Sequence, residues 1–60
     1  MDPLATLHDA QIALQDGDFN ECGELLRIYQ HWRMFGGFEP KDGDKTAATI
    51  KTSLAEKQSK

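Results

Sequence analysis

Sixty residues with a formal net charge of −3 make one domain at most, and a chain this short buries only about 60% of its unfolded surface, so it needs a staple or a second copy to enlarge its core. A single cysteine, Cys22, excludes an intrachain disulfide framework, no C-x-x-C or H-x-x-x-H spacing points to structural zinc, and no apolar run approaches the roughly 18 to 20 residues of a membrane span. Residues 1–40 carry seven acids against Arg27 and Arg33, and residues 41–60 carry three acids against five lysines; this acidic body with a basic tail lacks the basic face that binds a phosphate backbone.

Asp2-Pro3 opens the first helix. Asp2 can cap it, and Pro3 suits the first helical position, where its missing N–H would have no partner anyway. Leu4, Leu7, Ala10 and Leu14 then recur at spacings of three, three and four, one stripe of a helix running to about Gln15. A helix of about 13 residues spans roughly 20 Å and is too short to be stable alone in water.

Asp16-Gly17-Asp18 interrupts the pattern. Gly17 can take the left-handed conformation that ends a helix, and Asp18 can cap the next one, with Glu21 three residues on completing a capping box. So short a break predicts an antiparallel helical hairpin. The run Ala13-Leu14-Gln15-Asp16-Gly17-Asp18-Phe19 resembles the turn of a tetratricopeptide-type hairpin. No second copy follows at a 34-residue period, so the likeness implies shared hairpin chemistry and not membership.

The second helix is expected from about Phe19 to Phe35. At 100° per residue, Phe19, Cys22, Leu25, Leu26, Ile28, Tyr29, Trp32 and Phe35 fill an arc of roughly 200°. Asn20, Glu24, Arg27, Gln30 and His31 share the remainder with Met34, while Arg33 falls back inside the apolar arc. One partner helix needs a stripe of little more than 100°, so the first helix cannot cover this surface by itself. The cover is the C-terminal segment, a second copy or another protein. Gly23, inside the helix, is disfavoured by up to about 1 kcal/mol relative to alanine; either another helix backbone approaches closely there or the helix tolerates it.

Gly36-Gly37 ends this helix, with Gly36 left-handed and Arg33 at the negative end of the dipole. Pro40 makes Glu39 extended, and Phe38 is expected to fold back on the hairpin as a plug; left exposed, it would instead mark a binding spot. The run Tyr29-Gln30-His31-Trp32-Arg33-Met34-Phe35-Gly36-Gly37-Phe38-Glu39-Pro40, on a short acidic hairpin, resembles the small helical accessory proteins of temperate, lambda-like phages. That resemblance implies a compact chain, in some cases dimeric, that modulates host or phage processes. It carries over no functional residues.

Lys41-Asp42-Gly43-Asp44-Lys45 reads as a polar turn. Asp42 and Asp44 match part of a calcium loop, but the bidentate glutamate at the required offset is missing. From Asp44 or Thr46 to about Lys57 a third helix would place Ala47, Ile50 and Leu54 on one face, although Thr46, Thr49 and Thr52 lower its propensity. It is either a short docked helix or frayed, and Gln58-Ser59-Lys60 is read as tail.

Cys22 with His8 or His31 would suit a nucleophile and its base. His8, however, falls opposite residues 25–28 in the hairpin, and His31 is on the polar side of its helix, so Cys22 reads as a small core residue. Tyr29 and Trp32 on one face could stack bases, but such sites interleave aromatics with cations and only Arg33 lies alongside. Arg27 is expected to be solvated or paired with Glu24.

These readings combine into an all-α fold. A two-helix antiparallel hairpin occupies residues 1–40 (helices about 3–15 and 19–35), and residues 41–60 form a polar turn with a short or weakly ordered C-terminal helix or tail. The expected assembly is a homodimeric small bundle. The expected role is a non-enzymatic protein-interaction module, cytoplasmic, with no cofactor, metal or membrane partner, acting on a host or phage protein. Its interface is predicted at Cys22, Leu25, Leu26, Tyr29, Trp32, Phe35 and Phe38, types enriched at binding hot spots in the case of Tyr and Trp. The alternative is a small nucleic-acid-binding regulator using the C-terminal lysines.

Overall fold

The computed structural model describes residues 2–58 and consists of three α-helices: α1 (Pro3–Gln15), α2 (Phe19–Met34) and α3 (Gly43–Gln58). Ser59 and Lys60 of the expected tail lie outside the described residues. The first two helices form the hairpin read from the sequence, and α3 packs against both.

Local chemistry sets the boundaries of the hairpin. Asp2 Oδ1 accepts from the Leu4 and Ala5 amides at 3.1 and 3.2 Å, capping α1, and Asp18 Oδ1 accepts from the Glu21 amide at 3.2 Å, capping α2. Each of the two helices ends in a pair of backbone hydrogen bonds around a left-handed glycine. Asp18 N donates to Ala13 O and Gly17 N to Leu14 O; Gly37 N donates to Trp32 O and Gly36 N to Arg33 O. These pairs satisfy carbonyls that a helix end leaves without partners. α2 accordingly stops at Met34, with Phe35 as its cap.

The third helix runs sixteen residues, as long as α2, rather than forming a short or frayed end. Gln58 belongs to it and not to a tail. Two of the threonines that lower its propensity are bonded within it: Thr49 Oγ1 donates to Lys45 O and Thr52 Oγ1 to Ala48 O, each at 3.0 Å. Such back-bonding satisfies the hydroxyl without leaving the helix. Its start is set from outside, because Glu39 Oε2 accepts from the Asp44 amide at 3.1 Å.

The core is built from small side chains at the centre and larger ones around them. Ala10, Ala13, Cys22, Ile50 and Leu54 form the buried cluster, with Leu14, Phe19, Leu25 and Leu26 packed against it. Small residues let three helices approach one another at once. The buried stripe of α1 is Leu7, Ala10 and Ala13, rotated from the predicted stripe, with Leu4 exposed. The rotation follows from α1 facing two helices instead of one.

Candidate interaction surface

The wide apolar arc of α2 is divided by its neighbours. Cys22 and Tyr29, at 0% and 3% exposure, lie inside the chain's own core. They leave the predicted interface, because α3 encloses them. Leu25 and Leu26 are half-buried against the same core. Trp32 is half-buried, whereas Phe35 and Phe38 stand out in solvent at 79% and 66% exposure.

Phe38 is thus not the plug expected from the sequence. Pro40 and Gly43 are buried instead, and the Phe38 ring lies outside them, edge-on to Trp32 with centroids 5.6 Å apart. An edge-to-face pair of this kind satisfies the ring quadrupoles without enclosing either ring. Trp32 Nε1 also donates to Phe38 O at 3.1 Å, so the Phe38 backbone is held while its ring stays open.

Around these rings the surface continues. Ile28, His31, Trp32, Phe35 and the glycine pair line a shallow depression, with the His31 ring edge-on to Phe35 at 5.5 Å. Ile28 and Met34 are also exposed. The angular position of Met34 puts it among the polar residues of α2, and its exposure matches that placement. Ile28 belongs to the apolar arc that α1 alone is too narrow to cover, and its exposure marks where the cover by α1 and α3 stops.

A polar network fixes the geometry beneath the aromatic end. Arg33 binds Asp44 in bidentate fashion, Nε to Oδ1 at 2.9 Å and Nη2 to Oδ2 at 3.0 Å. Its Nη1 donates to Gly37 O at 2.7 Å, and Glu39 Oε1 lies 3.7 Å from Nη2. Tyr29 Oη donates to Asp44 Oδ1 at 2.8 Å. The guanidinium and the phenol hold the Asp44 carboxyl below the usual carboxylate range. Burial, reinforced by Asp44, pushes the Tyr29 phenol up to about 12. The position of Arg33 inside an apolar arc is explained by this network, for its head reaches α3 while its stem covers α2.

The same network occupies the aspartate that resembled a calcium ligand, since Asp44 is spent on Tyr29 and Arg33. Among the described residues no group of three His, Cys, Asp or Glu side chains is placed to hold a metal ion. Cys22 is fully buried, which pushes its thiol pKa up, while His8 and His31 are at the surface. The structure does not bring thiol and imidazole together. Among the described residues no helix is long and apolar enough to cross a membrane.

A second concave feature runs between α2 and α3. It is an open groove of about 580 Å³ whose floor includes Gly23, Leu26, Ala47 and Leu54, with Arg27 and Lys51 along it. Of the two expectations for Arg27 the solvated one fits, since its side chain is exposed and makes no ion pair with Glu24. No protein-family model, curated protein or solved structure matches this chain.

Proposed function

We propose that this chain is a non-enzymatic protein-interaction module that acts as a homodimer and presents the aromatic end of α2 to a further protein. The observation that carries this reading is the exposure of Phe35, Phe38 and Ile28 around the half-buried Trp32 on a chain of sixty residues. Apolar surface held open in this way is disfavoured in isolation and marks contact sites, and aromatic anchors supply large contact area at low entropic cost. The short run ending in Pro40 that resembles phage accessory proteins adds the expectation that the further protein belongs to a phage or its host.

The test pairs sedimentation of the purified chain with capture of proteins from host lysate on immobilised chain. A protein retained by the wild type and lost with Phe35→Asp plus Phe38→Asp supports the reading, provided the helical signal of the variant is unchanged. Equal retention by both proteins would sink the aromatic end as the docking surface.

A further inference from the structure

We propose that the groove between α2 and α3 is the face on which a second copy of this chain docks, with the two α2 helices antiparallel and crossing between Glu24 and Arg27. This rests on the homodimer reading above and adds its geometry, which places the contact away from the aromatic end.

Shape supplies the first argument. Glu24 and Arg27 line concavities on both sides of α2: the α2–α3 groove system on one flank, and the small depression beside Ile28 and His31 on the other. They therefore form the outer ridge of the helix. The lining of the groove beside that ridge includes Gly23, Ala47 and Ala48 beside Leu26 and Leu54, and an added Cβ at Gly23 would meet only Leu54 Cδ2 at 3.8 Å. A ridge next to a groove is what two helices need to interdigitate. A two-fold axis lets each copy offer its ridge to the other's groove.

Charge supplies the second argument and selects the occupant. The groove continues along α2 and changes sign as it goes. Its stretch near the start of α2 is net acidic, with Asp18, Glu21 and Glu24 against Arg27 at its edge, and its middle is lined by Arg27 and Lys51, with Asp44 at the far end already neutralised by Arg33. Glu21, Glu24, Arg27 and Lys51 are all exposed, and among the described residues neither Arg27 nor Lys51 forms an ion pair. A parallel arrangement would set like charges opposite each other. An antiparallel two-fold centred between residues 24 and 27 sets Glu24 of each copy against Arg27 of the other and Glu21 against Gln30, in the groove that Lys51 of the other copy also lines. The surface is complementary to itself in that orientation. Opposed charges at such an interface fix register and orientation more than they add affinity.

The test is sedimentation equilibrium of the full chain at low and high salt, with charge-reversed variants at exposed positions checked for unchanged helicity. The wild type is expected to dimerise, and its dimer to weaken as salt rises. Arg27→Glu with Lys51→Glu, and separately Glu21→Lys with Glu24→Lys, are each expected to weaken self-association by roughly tenfold or more. Mixing the two variants should restore a heterodimer close to wild-type affinity. A wild type that stays monomeric throughout overturns both this geometry and the homodimer reading. A dimer indifferent to both reversals, yet lost with Phe35→Asp, overturns the groove and leaves the homodimer reading standing. Reversal variants that fail to recombine also overturn the antiparallel pairing.

Discussion

The Tyr29 hydroxyl donates to Asp44 Oδ1 at 2.8 Å across fifteen residues of sequence, and this bond joins the last turns of α2 to the first turn of α3. Tyr29 is 3% exposed, so its hydroxyl has little access to water if Asp44 is removed. Arg33 holds the same carboxylate from the other side. One aspartate thereby docks α3 on the hairpin and leaves the neighbouring rings facing outward.

The first prediction is a stability loss confined to high pH. The Tyr29 phenol titrates at about 12 in the folded chain, above its ordinary value of 10.0. A raised folded pKa favours the protonated form, so its stabilisation is complete below about pH 10 and is lost as pH rises towards 12. Asp44 has the opposite sign: its lowered folded pKa gives stability that is present above the usual carboxylate range and lost on acidification through the folded value. Tyr29→Phe removes the titrating phenol without removing the ring. The stability advantage of wild type over Tyr29→Phe is about 1 kcal/mol for one hydrogen bond at neutral pH. It should hold up to about pH 10 and shrink as pH rises from there towards 12. A difference constant across that range in denaturant titrations would show that the phenol is not coupled to folding.

Gly43 yields the second prediction. It reads as an ordinary loop glycine, yet it is buried, and an added Cβ would collide with Tyr29 Oη and lie 2.6 Å from Pro40 Cγ. Pro40 is held by its own bond, since Gly43 N donates to Pro40 O at 2.8 Å, so the methyl has no easy escape. Gly43→Ala should destabilise by about 1–3 kcal/mol, the range for overpacking a filled site. An unchanged denaturation midpoint would mean that the turn opens freely and that Tyr29 does not depend on it.

How far the fold was legible follows from the range of each interaction. Asp2, Gly17, Asp18 and Gly36 act within one turn of their own helix ends, and their chemistry can be read from adjacent residues. Arg33 in the apolar arc was a visible anomaly, but its answer lies eleven residues away at Asp44, beyond any helical periodicity. The strength of α3 was hidden for the same reason. Its propensity is mediocre, and what holds it is tertiary: Ile50 and Leu54 in the core and Asp44 under Tyr29. Phe38 is 66% exposed although its hydrophobicity alone nominates it for burial, whereas Pro40 and Gly43 are buried. Of the predicted interface, Trp32, Phe35 and Phe38 remain at the surface, while Cys22 and Tyr29 belong to the core.

A third prediction separates stability from docking at the aromatic end. Trp32 donates to Phe38 O and its ring covers Gly37, where an added Cβ would strike it. Yet it is only half-buried. Full burial would give Trp32→Ala a loss of about 3–5 kcal/mol, so a half-buried ring should lose less, roughly 1–3 kcal/mol. Phe35 is 79% exposed, and Phe35→Ala should change stability by no more than about 0.5 kcal/mol. Thermal melts of dilute protein would check both. A large loss for Phe35→Ala would place that ring inside an interface already present in the purified chain.

The last prediction concerns Gly23, whose place within α2 invites two explanations with opposite mutational outcomes. Close approach of a neighbouring backbone would make any side chain there destructive. The nearest atom to an added Cβ is instead the Leu54 Cδ2 methyl at 3.8 Å, an ordinary van der Waals distance, so within one chain the methyl fits. Alanine also restricts the unfolded chain and favours the helix, together by about 0.5–1 kcal/mol. Gly23→Ala should therefore raise the stability of the isolated chain by that amount in dilute solution. The same methyl would stand in the groove proposed to receive a second copy, so dimerisation should weaken even as the monomer gains. Denaturation of dilute protein and sedimentation of concentrated protein together test this. Destabilisation of the dilute chain would show that α3 packs on Gly23 more tightly than a 3.8 Å separation allows.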